Sequence, residues 1–460
     1  MTENPDKPSA DWQAMSEYWD QVETILEGTK AMRAAGETYL PKFPNESKTD
    51  YDFRRKTAKF TNVFRDITEG LASKPFAQEL TLAEGTSAAI EDMQEDIDGR
   101  GNSLHVFAAD TFFCGIAKAI DWILVDYTKA DADEQRTVEE EKTLGLRPYW
   151  VHVPASAVIN IESEFIGGRE QLSNIRILEA KNRVRELVRV GDVVTYIIHL
   201  MDEKGLWQIE DEGRLSIGVI PMVPFVAGRR KGSKWQFHPP MRDAADLQVE
   251  LYQQETGLKN IKDMTCFPML AGNGVTPEME NGVPKRVPVG PKAVLYAPPS
   301  GDDKHGEWKW IIPEAPTLSF LAADIAETTK QLRELGRQPL TAQSGNLTKI
   351  TTAVAAGKGN SAVQMWALGL KDALEMALSY TAMWLKITEE PEVKIFTDFG
   401  LDAMAEMAPG LLLKARENGD ISGPTLRVEF RRYGLLGPEF NEDDEVKQMK
   451  NDILTEDDQE

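Results

Sequence analysis

The sequence predicts an α+β fold, mainly helical, with one β-rich segment and one small β insertion. Three observations predict it. Apolar residues recur at helical spacing in the N-terminal region and again after residue 242, as in amphipathic helices. Between residues 148 and 228, short β-branched runs (YWVHV, AVINI, SNIRILEA, RELVRV, VVTYIIHL) alternate with Gly, Asp-Glu and Lys-Gly turns, the pattern of an antiparallel sheet. Between residues 266 and 313, a Pro- and Gly-rich stretch with the strand-like runs PKAVLYA and EWKWIIP separates two helical segments.

The elements follow in order. Residues 1–10 are a polar tail. Trp12, Met15, Trp19, Val22, Leu26 and Met32 make the apolar face of a first helix, which Pro41 and Pro44 end. Ser47 or Thr49 caps a second helix, expected to run through Arg54–Lys59 to Phe64 and beyond. Residues 85–127 read as helix, turn (DIDGRGNS, 96–103), helix (Leu104, Phe107, Phe112, Ile116) and strand (WILVDY), and 128–147 as an acidic loop. A basic loop, GRRKGSKW (228–235), closes the β-rich segment. Helices at 242–264 and 317–335 flank the insertion, the second with Leu318, Leu321, Ile325, Leu332 and Leu335 on one face. Residues 337–360 hold no aromatic ring and read as a loop that cannot be held rigid by core burial. A helix follows at 361–387, with Trp366, Leu370, Leu374, Leu378 and Leu385 on one face, and the chain ends helical and then acidic.

Charge narrows the function. Lys and Arg number 52 against 75 Asp and Glu, a net charge of −23. Tight phosphate contact needs clustered cations, so this is not an ordinary DNA-binding protein. An acidic wall suits a duplex that must slide without sticking. Cys114 and Cys266 lie in apolar runs and are expected to be buried free thiols. The N-terminus is polar and acidic, unlike a signal peptide. The sequence has no apolar run of about 18 residues, so no membrane partner is expected.

Motifs for chemistry are missing. Gly357-Lys358-Gly359 lacks the earlier glycine and the following hydroxyl of a phosphate-binding loop. The sequence contains no G-x-S-x-G, H-E-x-x-H or C-x-x-C. His105, His152, His199, His238 and His305 are scattered without metal-ligand spacing. Asp96-Ile97-Asp98-Gly99 looks like the start of a calcium loop, but Phe107 stands where the bidentate glutamate belongs. ENGDISGPTLRVEF reads as a small packed helical pair rather than a DNA-reading helix–turn–helix. No catalytic residue, cofactor or metal ligand is expected, and the chain is not expected to be an enzyme.

Four stretches together resemble one family, the portal (head-to-tail connector) proteins of tailed bacteriophages. They are YLPKFPNESKTDYDFRRKTAKFTNVFRDITEGLASKPF (39–76), GRGNSLHVFAADTFFCGIAKAIDWILVDY (99–127), IPMVPFVAGRRKGSKWQFHPPMRDAADLQVELYQQETGLKN (220–260) and LTKITTAVAAGKGNSAVQMWALGLKDALEMALSYTAMWL (347–385). The resemblance implies a portal-type fold and a ring, usually of about twelve subunits, around a central channel. Carried onto this chain, it implies a wing at 1–240, a stem helix at 241–265, a clip at 266–313 and a second stem helix at 314–336. A tunnel loop would follow at 337–360, a long helix and return to the wing at 361–400, and a crown with an acidic tail at 401–460.

The resemblance also implies partners: further copies of this chain as a dodecamer, double-stranded DNA held without sequence preference, a terminase, the major capsid and scaffold proteins, and a head–tail adaptor. It places the protein at a capsid vertex of the virion, assembled in the host cytoplasm. Arg337, Lys349 and Lys358, in the small-residue loop, are the DNA-channel candidates. Arg229, Arg230, Lys231 and Lys234 are candidates for a basic intersubunit contact. Another ring-forming virion structural or adaptor protein is the main alternative; a DNA-processing enzyme would need a nucleotide or metal motif.

Overall fold

A computed structural model describes residues 4–128, 146–266, 269–273, 279–280, 282–284, 306–311, 315–335, 349–397, 399, 408–432, 435–436 and 445. The α+β expectation holds: helices and small sheets are mixed, and none of the described sheets closes into a barrel. No described helix is long and apolar enough to cross a membrane.

Helix α1 (Ala10–Glu27) starts where the Ser9 hydroxyl accepts from the Trp12 amide. It buries Met15, Tyr18, Trp19, Val22 and Ile25. Gly28, at φ +84°, ends it, and α2 (Thr29–Ala35) follows at once, so the break precedes the prolines that were expected to make it. Helix α3 (Lys48–Thr57) is capped by Ser47, as expected. It stops at Ala58, and α4 (Val63–Ala72) starts anew behind Asn62, whose side chain accepts from the Arg65 amide. The single helix expected from Ser47 past Phe64 is therefore two. Helix α5 (Ala88–Glu91) is one turn. The DIDGRGNS turn is closed from within: the Asp98 carboxylate accepts from the Arg100 and Asn102 amides, and the Asp96 carboxylate from the Gly101 amide.

Helix α6 (Leu104–Lys118) is the centre of the N-terminal half. Its last carbonyls need donors from outside the helix, and α1 supplies them. The Tyr18 hydroxyl donates to the Ala117 carbonyl at 2.6 Å and the Trp19 indole to that of Lys118 at 2.9 Å. The Lys118 ammonium reaches Glu23 at 2.7 Å. Burial pushes the Glu23 carboxyl up, but Lys118 and the Ser156 hydroxyl more than offset this and hold it below the usual range. Ala119 then turns left-handed, and the chain enters the sheet.

The small β1 (Thr81–Leu82) pairs with a strand from the far end of the chain, described below. The expected single antiparallel sheet is two. Strand β2 (Ile120–Tyr127) lies between β3 (Pro148–Val153) and β9 (Met222–Val226), all antiparallel. Strands β4 (Val158–Ile166), β5 (Arg169–Ala180), β6 (Arg183–Val190), β7 (Val193–Met201) and β8 (Trp207–Leu215) form a five-stranded meander in sequence order. Burial separates them. Strand β2 is buried over Ile120–Val125, so it needs cover on both faces, whereas each of β4–β8 carries exposed residues and needs less cover.

Gly115 sets how closely α6 approaches β9. A Cβ there would clash with Cδ1 and Cε1 of Phe225, which is fully buried and stacked on Phe112 with centroids 5.5 Å apart. Gly115→Ala is therefore expected to destabilise the protein by about 1–3 kcal/mol, read as a lower urea midpoint. An unchanged midpoint would mean that the helix can lift off the sheet freely.

Candidate functional site

The region for which the resemblance implies channel elements starts at α7 (Arg242–Cys266). Two of its side chains grip the break between α3 and α4. Gln248, fully buried, accepts from the Phe64 amide at 2.8 Å and donates to the Thr61 carbonyl at 2.9 Å. The Glu255 carboxylate accepts from the Thr61 amide (2.9 Å), the Thr61 hydroxyl (2.7 Å) and the Lys59 ammonium (2.7 Å). Residues 248 and 255 sit two turns apart on one helix face. The polar break thus finds partners on α7, with Arg33 of α2 on the Ala58 carbonyl and the Ile25 carbonyl of α1 on the Asn62 side chain, which explains why α3 and α4 do not merge.

The insertion leaves α7 through β12 (Met269–Asn273) and returns through β15 (Glu307–Ile311). These two strands pair antiparallel, Met269 with Ile311 through Asn273 with Glu307, and close the insertion at its base. Between them lies a small hairpin, β13 (Met279–Glu280) with β14 (Val283–Pro284). PKAVLYA lies outside the described residues. Helix α8 (Ala315–Leu335) then packs back along α7, where Gln254 donates to Asp324 at 3.1 Å. Of its expected stripe, Leu332 is buried, Leu318, Leu321 and Ile325 are half-buried, and Leu335 is exposed. Phe320 is 72% exposed.

Helix α9 (Lys349–Leu385) is the longest element, at 37 residues. It starts inside the segment expected to be loop through 360. Ala353, Ala355 and Ala356 are strong helix formers and favour this earlier start. From Val363 on, its covered face carries Val363, Ala367, Leu370, Leu374, Ala377, Leu378 and Thr381. That face docks on the three-stranded sheet: the Trp150 indole donates to the Thr381 hydroxyl at 2.9 Å, and the Trp384 indole to the Val125 carbonyl at 3.1 Å. Beyond it, β16 (Val393–Lys394) pairs with β1, returning the chain to the N-terminal half. Helices α10 (Ala408–Glu417) and α11 (Gly423–Arg432) pack as a pair, with Ser422 accepting from the Thr425 amide.

The opposite face of α9 carries exposed apolar side chains around Asp372. Met365, Leu368, Met376 and Met383 are 68%, 47%, 45% and 46% exposed. Met365, Met376 and Met383 are separated by about three and two turns, so they share one face, turned away from the core-facing residues. Helical spacing in the sequence picked out the Leu stripe; the Met stripe was equally visible at 365, 376 and 383 but needed the docked face to be known first. Met376 and Met383, with Tyr380, line one side of a cleft of about 570 Å³ whose other side is Leu172, Arg189 and Arg230.

The basic candidates separate. Arg337 lies outside the described residues. Lys349 and Lys358 lie on α9, not in a loop. In the basic loop, β10 (Arg229–Arg230) pairs with β11 (Phe237–His238). Arg230 is engaged within the chain: it donates to both Glu170 oxygens (2.6 and 2.8 Å) and lies 4.2 Å over the Trp235 ring. Its guanidinium holds the Glu170 carboxyl below the usual range. Arg229, Lys231 and Lys234 are exposed.

Residues 240–385 match the model of a family described as Domain of unknown function (DUF4055), a range that spans α7, the insertion, α8 and α9. No curated protein matches the sequence. Among solved structures, the chain is similar to one from the neck of a native gene transfer agent (GTA) particle computed with C12 symmetry. The identity is 12%, the match covers 87% of this chain and 98% of that one, and the TM-score is 0.45. It is similar to a chain from the neck of an empty GTA particle computed with C6 symmetry, at 12% identity, 86% and 97% coverage and a TM-score of 0.45. A chain from the virion of a native GTA particle gives 12% identity, 87% and 98% coverage and a TM-score of 0.42.

Proposed function

We propose that this chain is a portal protein: a homo-oligomeric ring at one capsid vertex, through which DNA is packaged and ejected. The observation that carries the reading is one contiguous module. Two adjacent helices, α7 and α8, are joined by a β insertion closed at its base, and a long helix returns the chain to the N-terminal half. That is the stem–clip–stem–helix order that the four sequence stretches imply. The exposed methionines of α9 support self-assembly, because large apolar side chains gathered on one exposed face gain from being covered. The occupant of its Met face is a second copy of this chain. The insertion is the docking end for a terminase and later for head–tail adaptor proteins, and the wing is the part that meets capsid and scaffold protein. The net charge of −23 suits a channel that DNA passes without adhering.

In this reading Arg337, Lys349 and Lys358 guide the duplex as sparse cationic rings in an acidic channel, and Arg229, Lys231 and Lys234 meet a neighbouring subunit. Charge reversal to Glu at 337, 349 and 358 together is expected to lower retained DNA in reconstituted packaging by about tenfold or more. Rings that assemble normally and retain DNA at the parental level would remove these residues from the channel.

A further inference from the structure

We propose that Cys114, Asp121 and His152 form a binding site for a zinc-type divalent cation, tying α6 to the three-stranded sheet. The three residues come from three elements. Cys114 is on α6, one residue before the close contact at Gly115; Asp121 is near the start of β2; His152 is on β3. Strand pairing brings the last two together. His152 lies opposite Ile123, and Asp121, two residues from Ile123, projects to the same face of the sheet. One donor atom from each residue, the Cys sulfur, a carboxylate oxygen and an imidazole nitrogen, lies within 4.8 Å of the other two. Three donors around one point can be spanned by one ion at ligand distances of about 2.0–2.3 Å.

A second observation points the same way. Asp121 is fully buried, yet its Oδ1 has no hydrogen-bond partner, while Oδ2 bonds His152 Nε2. A buried carboxylate with an unused oxygen is costly. A cation would engage that oxygen. The donor set of one thiolate, one imidazole and one carboxylate suits zinc and cobalt, and is too soft and too sparse for calcium or magnesium. With both acids ionised and the imidazole neutral, a divalent ion gives a site of zero net charge. Cys114 and His152 are each half-buried, which leaves an approach from solvent and room for a fourth ligand such as water. The role is structural: by mass action the ion would stabilise the folded chain.

The test uses the full chain, stripped with chelator and titrated with Zn²⁺ and, separately, Co²⁺. One equivalent of zinc should bind, and cobalt should give a thiolate-to-metal charge-transfer band. Cys114→Ser should abolish the band and weaken zinc binding by more than the roughly 10–100-fold that a supporting partner of a ligand is worth. Cys266→Ser should leave both unchanged. The far-ultraviolet circular dichroism of Cys114→Ser should match the parent, since the change is small and the site half-buried. No cobalt–thiolate band in the parent, or a band that survives Cys114→Ser, would overturn the proposal.

Discussion

Met365→Glu combined with Met376→Glu is expected to leave a folded chain that no longer assembles. Both side chains are exposed in the single subunit, so carboxylates there are solvated and cost the fold little. Between neighbouring subunits the same carboxylates would be buried without partners, at several kcal/mol each. Every interface of a ring repeats the lesion, so association should weaken by more than about 100-fold. The measurement is a sedimentation-velocity series over protein concentration, with circular dichroism as the control for folding. Charged variants that assemble at the parental concentration would show that the Met face of α9 is not an interface.

Glu255→Ala carries the second large effect, on stability. The Glu255 carboxylate is the acceptor for the Thr61 amide, the Thr61 hydroxyl and Lys59. Removing it leaves donors at the α3–α4 break without partners in a part-buried position. Bonds to a charged acceptor are worth about 1.5–3 kcal/mol each and do not simply add, so a loss of at least about 2 kcal/mol is expected. It should appear as a lower urea midpoint and as faster proteolysis between residues 58 and 62. Glu255→Gln keeps one acceptor oxygen and should lose less. Equal stability of Glu255→Ala and the parent would mean that α7 does not clamp the N-terminal helices.

Much of the fold was legible because it is written in periodicity. The α1 stripe, the Ser47 cap, the β-branched runs after 148 and the helices around the insertion all follow from local spacing. Failures came where distant residues decide. The stop at Ala58 depends on Gln248 and Glu255, nearly two hundred positions later. The division of the β region into two sheets depends on β2 pairing with both β3 and β9. The early start of α9 was hidden because small residues read equally as loop or as helix, and alanine favours the helix.

The candidate sites divide the same way. The helix pair and its insertion were visible as an order of elements, whereas the engagement of Arg230 with Glu170 and Trp235 was not, since it spans two sheets. Cys114 stood out in the sequence only as a free thiol in an apolar run. Its neighbours Asp121 and His152 belong to paired strands, and no linear spacing brings them together.

Native mass spectrometry of the purified protein, alone and with scaffold protein, tests the central claim most directly. A closed assembly near twelve times 51.4 kDa is the result the portal reading predicts. A chain that remains monomeric or dimeric in both conditions at micromolar concentration would contradict it.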